Sequence, residues 1–422
     1  MNIKIRRVNQ GAFCIYLILF IVLVSGILKS FTDFFSIIPY SIDFINVFLF
    51  FLLIKSKVLL ILKKKKSLME IRWIFVFFVS AVISTLPRIN SIFLFLIALR
   101  NNFSYYIFFI SCICFLKKEK LVFLDIAYWI NFSVIIIQFF GFGIKQDWLG
   151  GIFGSIGGEV NGALNVFLVI YTIKIIVMYL NKQNTLNNVI ITSLVSLFIT
   201  SLAELKFFYL EYVIIIAISS LVTSFSWRKI LIIVGGLIGF IVGAKLLFII
   251  YPGLDRRFFS FEFLYAYSTS DQGYTSAGDI NRLNFIKQCN DILKSGIYIM
   301  FGLGLGNCEI FNPLGLISNF YKTYGFLHYT WFSSSFIYLE LGIVGTILYF
   351  GFFIWTFFQI RRREKYSNDL SNCQMAEILA LMAILFSIYD SSMRSSVSYL
   401  VYYILALPFA SLNENFHIKR KD

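Results

Sequence analysis

Charged residues are scarce in this chain of 422 residues. Asp, Glu, Lys and Arg together make up 14% of the sequence, whereas 59% of the residues are hydrophobic. A soluble globular domain has about 25% charged and about 45–50% apolar residues. The shortage of charge therefore excludes a soluble globule and indicates a protein that lies in a lipid bilayer.

Histidine and cysteine are rare as well, with two and six copies. His417 lies in the C-terminal tail and His328 lies in the long polar interval described below, so a zinc site built on histidines is excluded. Cys289 and Cys308 share that polar interval and would be able to form a disulfide in an oxidising compartment. Because spacing alone does not show that two sulfur atoms meet, the state of this pair stays open.

Long apolar runs are abundant instead. A helix needs about 17–25 apolar residues to cross a hydrocarbon core of about 30 Å, and about twelve runs in this chain approach that length. We therefore predict an all-α polytopic membrane protein with about twelve transmembrane helices. The first run has no small-residue cleavage site after it, so it is interpreted as a span and not as a cleaved signal peptide. The predicted spans are residues 11–28, 34–54, 71–86, 91–116, 121–142, 162–180, 187–203, 207–225, 230–251, 331–358, 376–390 and 397–411.

The net charge of +15 would suggest a nucleic-acid partner in a soluble protein. Here the basic residues fall in short loops between the apolar runs, which is the positive-inside pattern of membrane proteins. We therefore predict membrane lipids and no nucleic acid as partners, with both termini in the cytoplasm. The basic segments that share the cytoplasmic side are residues 1–7, 55–66, 117–120, 182, 228–229, 361–365 and 419–421.

One long polar interval, residues 252–330, interrupts the apolar runs. It separates a membrane region at residues 1–251 from a second one, with a cytoplasmic tail, at residues 331–422. Connections are usually about 4–6 residues long, and much longer ones are generally functional or disordered. Apolar residues recur at helical spacing between Asp279 and Lys294, so we predict an amphipathic helix on the membrane surface within this large outer loop.

Arg282 is the first candidate for ligand binding. Asp279 fits the pattern of a helix N-cap, which would place Arg282 in the first turn of the amphipathic helix. Free backbone N–H groups at that position already favour an anion. A guanidinium there suits either lipid headgroups or the paired oxygens of a phosphate.

Other cations also fall on the outer side in this topology. Lys206 ends the seventh predicted span and either binds an anion or forms an internal pair with Glu204 or Glu211. Boundary arginines commonly extend to lipid headgroups, but together these cations would form an electropositive rim. The remaining rim cations are Arg88, Arg256, Arg257 and Arg394.

The loop also contains a run of alternating glycines and several tyrosines. Gly302, Gly304 and Gly306 would allow backbone N–H groups to approach a ligand or the chain to turn sharply. The run is neither a Walker loop nor a dinucleotide-binding fingerprint, because the residues and elements that must accompany those motifs are missing. Tyr324 is one of the aromatic residues that would either stack on sugar rings or lie at the membrane interface.

His328 is the candidate general base, because imidazole is suited to proton abstraction near neutral pH. The alternative is an interfacial histidine that hydrogen-bonds a lipid headgroup. Glu340 follows in the next predicted span, about 18 Å further along if the helix is continuous. An ionisable group inside a span costs roughly 2.5–3.5 kcal/mol, so Glu340 should face protein and have a partner.

Taken in order, these motifs resemble the O-antigen polymerase and ligase superfamily. The resemblance covers the segment from Gly278 to Arg282, the amphipathic helix, the run from Phe301 to Gly306, His328, and the stretch from Glu340 to Gly345. Members of that family are similar in having about twelve spans and one large periplasmic loop late in the chain. The segment from Gly151 to Asn161 resembles a family feature more loosely, and Glu159 within it is a further candidate for the substrate site.

The resemblance implies a metal-independent glycosyltransferase of GT-C-like architecture, without a cofactor, in the bacterial inner membrane. A glycan would leave undecaprenyl diphosphate and join a sugar hydroxyl, with Arg282 binding the diphosphate and His328 deprotonating or orienting the hydroxyl. The second arginine of the family falls at Lys206, which keeps the charge but loses the bidentate fork, so Arg256 or Arg257 would supply that contact. A chain-length regulator is implied as a partner.

Three functions are compatible with these motifs. The regular glycine run favours an O-antigen polymerase that joins lipid-linked repeat units. A ligase that moves the finished polymer to the lipid A core is the nearest alternative. A flippase or other transporter of lipid-linked oligosaccharide is an alternative of a different class, although one large outer loop is less typical of it.

Overall fold

A computed structural model describes residues 2–31, 38–55, 69–116, 121–155, 160–224, 226–260, 262, 265, 278–365, 367 and 369–410. Glu159 lies outside these residues, and so does most of the stretch between Phe261 and Ala277. The described chain is almost entirely helical, with one two-stranded sheet. Twelve long helices are α1 (Asn2–Phe31), α2 (Ile38–Lys55), α3 (Met69–Thr85), α4 (Ile92–Phe115), α5 (Val122–Ile136), α6 (Val160–Leu180), α7 (Leu186–Leu202), α8 (Lys206–Val222), α9 (Trp227–Ile250), α13 (Ser333–Glu364), α14 (Leu370–Tyr389) and α15 (Ser398–Ala410).

Short elements lie between α9 and α13. They are α10 (Phe285–Leu293), α11 (Gly296–Phe301), β1 (Ile310–Phe311), β2 (Leu316–Ile317) and α12 (Asn319–Tyr324). The two strands are antiparallel, with Ile310 opposite Ile317. The large loop therefore contains ordered secondary structure in its described part.

Each of the twelve long helices overlaps one predicted span, because the width of the hydrocarbon core fixes the length of apolar helix that a sequence must encode. Nine described helical segments are long and apolar enough to cross a membrane. The all-α architecture of a multi-pass membrane protein is thus confirmed. The helices α7 and α8 have 17 residues each and the described part of α15 has 13, so the count of about twelve spans stays a prediction.

The helices differ in how deeply they lie in the bundle. In the most apolar window of α6, 89% of the residues are buried, and the corresponding value for α14 is 72%. For α2 and α9 the value is 28%, so these helices lie at the periphery. Their exposed side chains include Phe44, Phe48, Leu237 and Ile241, as expected for surfaces that face lipid.

The long helix α13 is not continuous. Gly342 has φ 64° and ψ −163°, which interrupts the helix nine residues after Ser333. A Cβ atom on Gly342 would lie 2.5 Å from the backbone of Met300, so only glycine lets α11 approach here. The helix α13 also begins only at Ser333, because His328 has a left-handed backbone and residues 329–331 form a separate turn, so the distance of about 18 Å for a continuous helix from His328 to Glu340 does not apply.

The amphipathic helix of the loop is shorter than predicted. It begins at Phe285 and not at Asp279, because residues 280–284 are held by other contacts. The Ile280 N–H donates to the Leu327 carbonyl (3.1 Å), and the Asn281 side chain accepts from the Leu283 N–H (2.9 Å). The predicted N-cap role of Asp279 and the first-turn position of Arg282 are therefore wrong.

The helix α10 packs against protein with one face. Phe285, Gln288, Cys289 and Leu293 are buried, and the Phe285 ring contacts the Tyr338 ring of α13 with centroids 5.9 Å apart. The predicted amphipathic character is confirmed, but the buried face lies on α13 and not on lipid. Cys289 and Cys308 are both buried free thiols, so the disulfide considered from the sequence is not present.

Candidate functional site

We define the loop end of the bundle as the end where the loop, the start of α8 and the end of α14 meet. Phe207, at the start of α8, stacks on Tyr389, at the end of α14, with ring centroids 3.9 Å apart and planes at 6°. The Ser333 N–H at the start of α13 donates to the Asp390 carbonyl (2.9 Å). These contacts bring residues that are far apart in sequence to one surface.

His328 and Asp279 form a hydrogen-bonded pair at the loop end. The His328 Nδ1 atom lies 2.6 Å from the Asp279 Oδ1 atom, and the two side chains are 42% and 17% exposed. A carboxylate at one ring nitrogen orients an imidazole and leaves the other nitrogen for proton transfer. Among the described residues, no hydrogen-bond partner occupies His328 Nε2.

The backbone conformation of His328 and a neighbouring aromatic ring restrict the imidazole. Its φ of 51° lies in the left-handed region, which is uncommon for residues other than glycine. The Trp331 ring stacks on the imidazole with centroids 4.0 Å apart and planes at 19°. The tryptophan covers one face of the ring, and together with Asp279 it limits the orientations that the imidazole can adopt.

Asp279 is a site residue that the sequence interpretation missed. Its position before an apolar run matches the N-cap pattern, and its true partner lies 49 residues away. The hydrogen bond from Ile280 to Leu327 joins the two segments and so places Asp279 beside His328. The sequence does offer one signal for this contact. A functional histidine commonly has a carboxylate partner, so the acidic residues of the loop were candidates for the partner of His328.

Arg282 lies three residues beyond Asp279, at most about 11 Å of extended chain away. Its guanidinium lies 5.1 Å from the centroid of the Tyr389 ring, which is the same ring that stacks on Phe207. Its Nε atom is buried and has no hydrogen-bond partner among the described residues. The same part of the chain contains no carboxylate in a salt bridge with this guanidinium.

The other rim cations whose side chains the structure describes are already engaged. Lys206 Nζ lies 2.9 Å from Glu204 Oε1, so the internal pair considered from the sequence is confirmed. Arg257 binds the exposed Asp255 at 3.0 Å and holds the pKa of that carboxyl below its usual range. The side chain of Arg256 lies outside the described residues. The remaining cations bind protein as well, Arg88 through the Gly302 carbonyl (2.8 Å) and Arg394 through Glu309.

Lys206 is linked to the Arg282 site through the neighbouring residue in the chain. It precedes Phe207 directly, and Phe207 and Arg282 both contact Tyr389. Its side chain is 31% exposed, so its ammonium group is not sealed inside the bundle. The Phe207 ring therefore connects the start of α8, where Lys206 lies, to the Tyr389 ring that the Arg282 guanidinium contacts.

Polar groups that were not predicted as site residues lie beneath this aromatic pair. Glu211, one turn after Phe207 on α8, accepts a hydrogen bond from the Asn165 amide (2.8 Å) and is fully buried. Asp390 follows Tyr389 and accepts from the Ser392 N–H (2.8 Å). A buried glutamate in an apolar run gives no sequence signal of its partner, because Asn165 lies on a different helix.

The glycine run packs against the spans. Gly302, Gly304 and Gly306 have φ values of 71°, 95° and 87°. A Cβ atom on Gly302 would lie 2.2 Å from the Glu340 backbone, and one on Gly306 would lie 2.6 Å from the Leu94 backbone. The sharp turns predicted for this run are present. The groups that approach these glycines closely are the backbone atoms of neighbouring helices.

Glu340 has the protein partners that its position in a span predicts. Its Oε1 atom accepts from the Gly306 N–H (2.7 Å), and its side chain is 1% exposed. A buried ion pair of Glu309 with Arg394 lies in the same loop region, and the Asn101 amide also donates to Glu309 (3.1 Å). Glu340 and the glycines therefore belong to a packing region on α3, α4 and α13, whereas His328 and Arg282 lie at the loop end.

Of the two remaining predicted substrate residues, Tyr324 and Glu159, the structure describes only Tyr324. Tyr324 packs on Phe320 with centroids 4.8 Å apart and is half-buried in a small apolar cluster of the loop. Glu159 is not among the described residues, and the described segment before it ends at Ser155. In that segment the Gly151 N–H donates to the Gln138 side chain (2.8 Å).

No protein-family model matches this sequence, and no curated protein matches it either.

Proposed function

We propose that the protein is an O-antigen polymerase-type glycosyltransferase that moves a glycan from a polyprenyl diphosphate carrier to a sugar hydroxyl. The observation that carries the proposal is Arg282, a half-buried guanidinium without a carboxylate partner among the described residues, three residues from the aspartate that binds His328. Leaving a buried cation without a counter-charge is costly, so such a site favours an anionic ligand.

The diphosphate would bind at Arg282, with Lys206 as a second cation. As the bond between the sugar C1 atom and the diphosphate oxygen breaks, negative charge grows on the leaving group. Cations held in a partly desolvated site stabilise that charge more in the transition state than in the ground state. Arginine can grip two phosphate oxygens at once, whereas lysine contributes a point charge.

The acceptor hydroxyl would bind at His328. Nε2 takes the hydroxyl proton as the new bond between the acceptor oxygen and C1 forms, and Asp279 stabilises the imidazolium that results. The reaction therefore releases polyprenyl diphosphate and leaves a proton on the enzyme. Charge stabilisation and proton transfer are both supplied by side chains, so no metal or cofactor enters the proposed mechanism.

In this proposal the enzyme lies in a bacterial inner membrane. All twelve long helices cross the bilayer, both termini are cytoplasmic, and residues 252–330 are periplasmic. The helix α8, with 17 residues, rises about 26 Å, slightly less than the hydrocarbon width. The donor is an undecaprenyl-diphosphate-linked oligosaccharide, the acceptor is a second lipid-linked repeat unit, and a chain-length regulator is the proposed protein partner.

The test is the electrophoretic profile of surface lipopolysaccharide from a strain that lacks the gene, complemented with wild-type protein or with Arg282→Ala. We expect the ladder to collapse to one repeat on the core without the gene and with Arg282→Ala, although the variant is inserted at normal abundance. Complementation by Arg282→Ala would contradict the diphosphate role. Polymer accumulating on the lipid carrier would instead indicate a ligase, and an unchanged profile in the deletion strain would refute this function.

A further inference from the structure

The segment from Gly296 to Asn307 lies in the loop by hydropathy, yet it has an unusual composition. Its twelve residues include no charged side chain. Apolar stretches of about 10–14 residues are too short to span and are commonly buried, interfacial or re-entrant. The helix α11 forms the first half of this segment, and the glycine run forms the second half.

The side chains of α11 are not buried by protein. Ile297 is 62% exposed, Met300 and Phe301 are each 43% exposed, and Tyr298 is 39% exposed. No residue of this helix is buried. Exposure of these four side chains to water would be unfavourable, because the transfer of a large apolar side chain out of water lowers the free energy by roughly 1.5–3 kcal/mol.

The level of α11 along the bundle follows from its contacts with α13. Met300 touches Gly342, which lies 19 residues before Arg361, the first of three consecutive arginines near the opposite end. At about 1.5 Å per residue this is about 28 Å, close to the hydrocarbon width of about 30 Å. If Arg361 marks one boundary of the hydrocarbon core, Gly342 and α11 lie at the other boundary.

The neighbouring span α3 places α11 at the same level. The Arg88 guanidinium, just beyond α3, donates to the Gly302 carbonyl and lies 5.1 Å from the Tyr298 ring centroid. Arginine and tyrosine are typical of the membrane–water interface. Ile83 and Leu86 of the same region are 64% and 60% exposed, so the apolar face of α11 continues the lipid-facing surface of a span.

The backbone of the glycine run meets the main requirement for irregular chain at membrane depth. Such chain is tolerated only where protein satisfies its polar groups. Gly304 donates to the Glu340 carbonyl (2.8 Å), Leu305 to Thr85 Oγ1 (2.9 Å) and Gly306 to Glu340 Oε1 (2.7 Å). The N–H groups of the other three residues between Gly302 and Asn307 are bonded as well. The buried Glu340 carboxylate thus serves as an internal acceptor for this backbone.

We propose that residues 296–307 form a membrane-embedded segment, in which the exposed face of α11 contacts the acyl chains of the leaflet at the loop end. The glycine run anchors the helix between α3, α4 and α13. Because α10 ends at Leu293 and α11 begins at Gly296, this anchor also holds α10 close to the bilayer. The inference does not depend on the proposed glycosyl transfer.

The test uses nitroxide labels on single introduced cysteines in protein reconstituted into phosphatidylcholine–phosphatidylglycerol vesicles. The native cysteines are all buried, so the wild-type protein should take up little label. The test sites are Ile297→Cys and Phe301→Cys. Leu237→Cys, in the middle of α9 and 53% exposed, is the lipid-facing control, and Leu314→Cys, at the turn of the β-hairpin and 67% exposed, is the water-facing control.

The measured quantities are the collision rates of each nitroxide with oxygen, which concentrates in lipid, and with a nickel chelate, which stays in water. We expect oxygen to be favoured over the chelate at residues 297 and 301, as at residue 237, and the chelate to be favoured at residue 314. Chelate-favoured collisions at either residue 297 or residue 301 would overturn the proposal. All four positions are exposed, and a single symmetric peak in size-exclusion chromatography checks that each variant is folded.

Discussion

Replacing Asp279 by asparagine tests the proposed general base most directly. The change keeps the size of the side chain but removes the negative charge that faces the imidazole at 2.6 Å. It also offers a donor where an acceptor is needed, so His328 is free to turn or to adopt the wrong tautomer. Activity should therefore fall even though the histidine itself is intact.

The magnitude follows from the value of a hydrogen bond to a charged group, about 1.5–3 kcal/mol. At about 1.4 kcal/mol per tenfold change in rate, this corresponds to a factor of about 10–150. His328 is 42% exposed, and partial solvation of the imidazolium puts the expected loss of kcat in the lower part of that range. The donor KM should stay nearly constant, because Asp279 does not touch the diphosphate in the proposed mechanism.

The assay is steady-state transfer between synthetic polyprenyl-diphosphate-linked oligosaccharides over a range of donor concentrations, with product resolved by gel electrophoresis. Asp291→Asn is the matched control, since Asp291 is an exposed carboxylate on α10 in the same loop. We expect wild-type kcat from the control and a reduced kcat from Asp279→Asn. Equal rates for the two variants would refute the role of the pair in catalysis.

Three other substitutions test separate parts of the structure. Gly306→Ala should lower the free energy of unfolding by about 2–5 kcal/mol, through left-handed strain and overpacking against Leu94, and the melting temperature should drop in a thermal-shift assay. Gly315→Ala is its control, because that glycine has a φ of 62° but no neighbour within 4 Å, and an equal drop would contradict the packing argument. Glu309→Gln should cost about 3–5 kcal/mol, since it leaves Arg394 buried without its counter-charge, whereas Asp255→Asn in an exposed pair should leave the melting temperature unchanged. Lys206→Gln should lower kcat as well as raise the donor KM, because the lysine would stabilise the charge that grows on the leaving diphosphate, and unchanged kcat and KM would remove Lys206 from the anion site.

The helical membrane architecture was predictable because the bilayer imposes it on composition. Runs such as 162–180 and 230–251 must be apolar and about 20 residues long, so each aligns with a helix of the structure. The pattern of apolar runs did not predict where a helix is interrupted within a run. Gly342 breaks α13 because the backbone of Met300 passes beside it, and that neighbour lies 42 residues earlier in the chain.

The site was predictable only in part, for a related reason. Arg282 and Lys206 were singled out by the resemblance, and the structure places the Arg282 guanidinium against Tyr389, whereas Lys206 pairs with Glu204. Asp279 was assigned to a local role, as a helix cap, because local patterns are all that spacing reveals. Its contact with His328 depends on the pairing of two loop segments that are far apart in sequence.

The distribution of cations also bears on the choice between a transferase and a transporter. Within the spans, Lys174 binds Asp125 at 2.6 Å and Arg100 binds Asp43 at 2.8 Å, so both charges are neutralised across neighbouring helices. A carrier that moves an anionic glycolipid through the bundle would need cations accessible along its path. In the described part of the chain, Arg282 offers an unpaired guanidinium edge at the loop end, next to a histidine oriented by a carboxylate. Under the roles proposed for Arg282 and His328, anion binding and proton transfer would both lie at one end, which favours chemistry on one membrane face over passage through the membrane.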